Sequence, residues 1–182
     1  MKTYISILRG INVSGQKLIK MDALRKMYEN LGFRNVTTYV QSGNVVFTSD
    51  DTELHDMEVK ISHQIEKEFG FVVPIIVLTV DRMKSVIDNN PFLKDTDKDR
   101  SFLHVTFLSS KPACFDQKAI EDKKQQGEDL FLSDDAVYLY CPNGYGNTKP
   151  TNNLFETKLK VKATTRNWKT THELYKMSQK VI

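Results

Sequence analysis

The apolar positions along the chain mark out its elements. Residues 4–8, Tyr-Ile-Ser-Ile-Leu, leave almost no polar face on either side of the pleat, as in a strand buried between two layers. That strand runs into a polar loop, Arg9 to Lys17, punctuated by Gly10 and Gly15, and the rest of the chain is organised round it. Met21 to Leu31 then places Leu24, Met27, Tyr28 and Leu31 at helical spacing, with Asp22 in the first turn and Gly32 as the stop. Val36 to Gln41 and Val45 to Thr48 are β-branched and aromatic, and Ser42-Gly43-Asn44 between them makes a hairpin. Asp50 to Thr52 is positioned to cap a second helix with a stripe of Leu54, Met57, Ile61, Ile65 and Phe69, ended by Gly70. Phe71 to Leu78 returns as a strand, and Pro74, which lacks a backbone donor, assigns it to a sheet edge or a bulge.

Strand, helix, strand, strand, helix, strand is the split βαβ order of a ferredoxin-like unit, with the first strand central and the last at an edge. Thr79 caps a short helix through Val86 and Ile87, closed by Asn90-Pro91. The polar segment 89–101 is the expected boundary between a first unit, 1–90, and a second, 91–182. Beyond it the pattern predicts a strand over 102–108, a helix over 115–124, a hairpin of 130–132 and 136–141 about Ser133-Asp134-Asp135, and helices from Thr151 to Leu159 and from about Trp168 onward. The expected fold class is α+β: two tandem ferredoxin-like (βαββαβ-type) units, the second less regular, packed as one compact body. The sequence carries no clear internal repeat, so the tandem rests on the order of elements. Pro142 to Pro150 has no periodicity and reads as the most flexible stretch, a binding loop or a plain connector.

Composition narrows the class. With 182 residues, 40% hydrophobic and 27% charged, the chain has the makings of a soluble globular protein. Its longest apolar run, Phe71 to Leu78, falls far short of a membrane span, and no apolar signal segment opens the sequence, so a cytoplasmic protein without membrane attachment is expected. Cys114 and Cys141 form no C-x-x-C pair and are expected to be reduced and partly buried. Of the net charge of +3, the stretch from Glu156 onward holds seven Lys/Arg against two acids, a basic C-terminal region.

Gly10 and Gly15 match the first half of a phosphate-binding P-loop, but Gln16, Lys17 and Leu18 displace the lysine by one place and omit the metal-binding hydroxyl, which excludes an ATPase of that type. Ser42 lacks the flanking glycines of a nucleophile elbow. The four histidines (55, 63, 104 and 172) have no metal-site spacing, and the carboxylate pairs fall at caps and turns. No catalytic residue, metal or cofactor is assigned, and the reading leans away from an enzyme.

Three phrases carry a resemblance: Leu8-Arg9-Gly10-Ile11-Asn12-Val13, Tyr39-Val40-Gln41-Ser42-Gly43-Asn44-Val45-Val46-Phe47, and Ala163-Thr164-Thr165-Arg166-Asn167-Trp168. Together they closely resemble the mostly bacterial domain-of-unknown-function family numbered 1697. The resemblance implies an α+β fold and no established biochemical role. Members usually read Gly-Gly-Lys in the first loop, where this chain has Ser14-Gly15-Gln16 and the lysine one place later.

The matching residues are amides and donors. They point to a ligand site for a small anionic or nucleotide-like molecule: Arg9, Lys17 and Arg166 for charge-assisted contacts, Asn12, Gln41, Ser42, Asn44 and Asn167 for neutral edges, Trp168 for stacking. The competing structural reading has Asn167 capping the last helix and Trp168 anchoring it in the core. The alternatives are a nucleic-acid-binding module using the basic C-terminal region, weakened because only Tyr4, Tyr39 and Phe47 offer aromatic faces, and a structural or oligomeric protein without a ligand.

Overall fold

The computed structural model describes residues 1–114 and 116–181. The fold is a mixed α+β fold with two four-stranded antiparallel sheets and, among the described residues, six α-helices. The chain divides into two compact units, one formed by Met1–Lys84 with Glu173–Ile182, the other by Ser85–His172. None of the described helices is long and apolar enough to cross a membrane.

In the first unit β1 (Lys2–Leu8) is followed by α1 (Met21–Asn30), β2 (Arg34–Tyr39), β3 (Asn44–Ser49), α2 (Leu54–Phe69) and β4 (Ile75–Thr79), and the sheet order is β2-β3-β1-β4. β1 pairs antiparallel with β3 from Lys2 opposite Ser49 to Ile7 opposite Asn44, and with β4 from Tyr4 opposite Thr79 to Leu8 opposite Ile75. Tyr4, Ile5, Ile7 and Leu8 are all buried, as a strand apolar on both faces requires. Leu24, Met27 and Tyr28 of α1 and Met57, Ile61 and Ile65 of α2 pack over Tyr4, Leu8, Val45, Phe47, Ile75 and Val77. Tyr4 and Phe47 therefore lie inside a cluster with Tyr28 and Phe33, with centroids 4.5 to 5.9 Å apart, and offer no open stacking face.

Two details differ from the pattern reading. The residue before α2 is Glu53, with no side-chain cap; Asp50 instead pairs with the N-terminal ammonium at 3.0 Å and Asp51 with Lys60 at 3.8 Å. β4 begins only after Pro74, which cannot donate to the ladder, and it occupies the sheet edge.

α3 (Val80–Asp88) follows, with the Thr79 hydroxyl accepting the Arg82 N–H at 3.1 Å. The second unit contains β5 (Leu103–Leu108), α4 (Gln117–Glu121), β6 (Asp129–Leu132), β7 (Ala136–Tyr140), α5 (Asn152–Leu159) and β8 (Ala163–Asn167), in sheet order β6-β7-β5-β8. α6 (Trp168–Gln179) starts directly at the end of β8. Phe115, the expected first residue of the 115–124 helix, lies outside the described residues. β8 was not predicted: Ala-Thr-Thr-Arg-Asn shows no apolar alternation, yet it is the edge partner of β5 from His104 opposite Asn167 to Leu108 opposite Ala163. The core of this unit joins Leu108, Val137, Leu139 and Ala163 of the sheet to Ile120, Phe155 and Leu159 of the helices.

Candidate functional site

The sequence-predicted residues fall into two groups, one in each unit. In the first, the strand-to-helix loop leaves β1 with five positive φ angles: Gly10 at 77°, Asn12 at 54°, Ser14 at 50°, Gly15 at 73° and Lys17 at 48°. The sign of φ alternates from Arg9 to Ser14, a backbone pattern of the kind from which anion-binding nests are built. Gly10, Ser14 and Gly15 are exposed, and among the described residues their amides meet no protein acceptor.

Asn12 holds this conformation. Its Nδ2 donates to the carbonyls of Ile19 at 2.9 Å and Gln41 at 2.8 Å, its Oδ1 accepts the Ile19 N–H at 2.8 Å, and its backbone N–H donates to Lys17 at 3.2 Å. The side chain closes the loop on itself and ties it to the hairpin turn. Lys17 reaches across to donate to the Val72 carbonyl at 2.8 Å. The N–H groups of Leu8 and Arg9 donate to the carbonyls of Gly43 (2.8 Å) and Pro74 (3.0 Å), so β1, the hairpin turn and the approach to β4 converge there.

The hairpin turn is equally fixed. Asn44 is buried, and its Nδ2 donates to the Tyr39 carbonyl at 3.0 Å and the Ser42 hydroxyl at 2.9 Å. Gly43, at φ 79°, lies so close to β1 that a Cβ there would be 2.7 Å from Leu8 Cβ and 2.8 Å from Ile11 Cδ1. Val40, a β-branched residue, is held at φ 48°, a conformation rare for its type. Thus Arg9, Asn12, Lys17, Gln41, Ser42 and Asn44 are gathered at one end of the sheet. Asn12 and Asn44 use their amides to build that end, while Gln41 is exposed on it and Ser42 and Arg9 are half-buried.

In the second unit Arg166, Asn167 and Trp168 occupy the junction of β8 and α6. Asn167 Oδ1 accepts the Thr170 N–H at 2.8 Å, a helix cap, and its carbonyl accepts from the Thr171 hydroxyl at 3.0 Å. Trp168 is 6% exposed and meets His172 edge-on at 4.7 Å. Arg166 donates to the Thr165 carbonyl at 2.9 Å, and burial pushes its guanidinium down to about 10, still cationic at neutral pH. Beside it the hydroxyls of Thr106 and Thr165 bond at 2.7 Å, and Thr165 donates to Asn152 Oδ1 at 2.7 Å.

The 142–150 loop of the same unit is fastened in place. Gln125 Nε2 donates to the Asn147 carbonyl at 2.7 Å, Asn143 Nδ2 to Gln126 at 3.2 Å, and Tyr145 stacks on His104 at 4.8 Å. Burial holds the His104 imidazole below its ordinary range. Both cysteines are free: Cys114 is exposed rather than partly buried, while Cys141 is buried and its thiol is pushed up to about 11, first by burial and then by Glu128. No group of metal-ligating side chains occurs among the described residues.

What sequence reasoning missed at the first site is its backbone. Gly10 and Gly15 signalled positive φ, but the same conformation at Asn12, Ser14 and Lys17 has no comparable signature, and unpaired amides leave no trace in side-chain identity.

No curated protein matches this chain. Among solved structures, the conserved bacterial protein SP0830 from Streptococcus pneumoniae is similar in fold, with a TM-score of 0.71 at 24% sequence identity over 97% of this chain and 98% of that one. The model of the family described as "Protein of unknown function (DUF1697)" matches residues 1–138, well over half of the 182, and the chain belongs to that family.

Proposed function

We propose that the protein binds a small anionic ligand, and that the loop joining β1 to α1 is where it does so. The observation that carries this reading is the set of exposed residues Gly10, Ser14 and Gly15, whose amides meet no acceptor among the described residues, on a loop whose shape Asn12 fixes from within. A loop that presents backbone donors without having to be reordered binds an anion at a lower entropic cost. Arg9, Lys17 and Lys20 add positive charge on either side. We also assign each unit to the ferredoxin-like class; the orders β2-β3-β1-β4 and β6-β7-β5-β8, each with its first strand central, support that assignment. In such a sheet the loop lies at the C-terminal end of a central strand.

The test is a thermal-shift panel of phosphate, pyrophosphate, nucleotides and short oligonucleotides at several salt concentrations. A ligand at a hundred times its dissociation constant stabilises by about 2.7 kcal/mol. The expected result is a shift with a small anion that weakens in Lys17→Met. A shift with oligonucleotides alone, falling steeply with salt, would move the reading to nucleic acid, and no shift with any compound would remove it.

A further inference from the structure

The loop end of the first unit carries apolar surface as well as donors. Val13, Leu18, Val40 and Val72 are exposed by 57, 66, 50 and 56%. The contacts already described bring them into one neighbourhood: Asn12, next to Val13, donates to the carbonyl of Gln41, next to Val40, and Lys17, next to Leu18, donates to the carbonyl of Val72 itself. Single exposed aliphatic residues need no explanation, but four from three separate segments round one loop form a patch. Residues 9–20, 38–49 and 70–79, which supply this end, contain Arg9, Lys17 and Lys20 and no Asp or Glu. The surface is thus cationic and apolar together.

We propose that the ligand of this loop is an amphiphilic anion: a phosphate or carboxylate group held at the amides of Gly10, Ser14 and Gly15, with an aliphatic body lying over Val13, Leu18, Val40 and Val72. This rests on the anion-binding reading above and adds the chemistry of the rest of the molecule. The absence of acids favours a negative head, and branched aliphatic side chains cover a flexible alkyl body, whereas a base would call for an aromatic face. Val40, held in a left-handed conformation, stays half-exposed there.

The test is calorimetric titration of the full chain with methyl, butyl and octyl phosphate below their micellar concentrations, and with inorganic phosphate. Affinity is expected to rise about two- to fourfold for each added methylene until the patch is covered. The rise is expected to flatten in the exposed-surface double variants Leu18→Ser/Val40→Ser and Val13→Ser/Val72→Ser, whose folding is checked by their melting curves. Equal affinity for methyl and octyl phosphate would overturn the amphiphile and leave the anion site standing. No binding of any of the four would overturn both. A chain-length gain untouched by either double variant would also overturn the assignment to this patch. So would self-association of the unliganded protein, seen by sedimentation and abolished by the same variants, because the patch would then belong to a second copy.

Discussion

The two motif clusters use the same residue types for opposite ends. Both contain an arginine followed shortly by an asparagine: Arg9 and Asn12 after β1, Arg166 and Asn167 at the end of β8. Asn167 turns its oxygen to the amide of Thr170 and starts a helix, so its side chain satisfies a donor of that helix end, and Trp168 is buried beside it. Asn12 spends three side-chain hydrogen bonds on Ile19 and Gln41 and so leaves the amides of Gly10, Ser14 and Gly15 unused. In the second cluster the asparagine oxygen takes up a backbone donor of the helix start, whereas in the first the asparagine holds the loop and leaves other backbone donors available. That difference is the reason the proposed ligand site is the first cluster and not the second.

Several substitutions break or sharpen that contrast. Gly43→Ala is expected to have the largest effect, because the new Cβ meets Leu8 and Ile11 at under 3 Å in a backbone conformation unfavourable to any side chain. Adding the left-handed cost to overpacking gives a loss of about 3 kcal/mol or more, read from denaturant unfolding. Asn12→Ala removes three hydrogen bonds of a half-buried amide and should cost about 2–3 kcal/mol. Asn167→Ala removes one capping bond and should cost about 1 kcal/mol. If the two asparagine variants lost equal stability, the stapling role given to Asn12 would be wrong. Val40→Gly relieves a β-branched residue at positive φ and should stabilise by up to about 1 kcal/mol, net of glycine's greater unfolded-state entropy.

The smallest expected effect is a pH dependence in the second unit. Burial holds His104 below its ordinary range, so as pH falls below about 6.5 the unfolded chain takes up a proton that the folded chain refuses. Stability from this group is present above that pH and is lost as pH falls toward the folded-state value. The difference in melting temperature between the wild type and His104→Gln, scanned from neutral to acidic pH, should shift steadily over that window and not above it.

How much of this was legible follows from which interactions leave a periodic trace. β1, α1, the first hairpin and α2 were read from apolar spacing because each buries a stripe: Leu24, Met27 and Tyr28 in α1, for instance. β8 escaped because Thr164, Thr165 and Arg166 make an edge strand by backbone pairing and hydroxyl bonds rather than by apolar alternation. The cap expected from Asp50 to Thr52 went instead to ion pairs, since local side-chain preference yields to a nearby ammonium. The loop 142–150 looked unstructured in sequence because its anchors, Gln125, Asn143 and His104, are long-range or polar. At the candidate site the phrases around Arg9 and Gln41 were visible, but the amides that give the loop its chemistry belong to no side chain.

The central claim is that the backbone of residues 10–15 receives an anion. The most direct measurement is a titration of the isotopically labelled full chain with inorganic phosphate, following each backbone amide by nuclear magnetic resonance. The account predicts saturable shifts centred on Gly10, Ser14 and Gly15, with Thr170 at the capped start of α6 unmoved. Shifts confined to the basic residues from Lys158 to Lys180, or none that saturate, would contradict it.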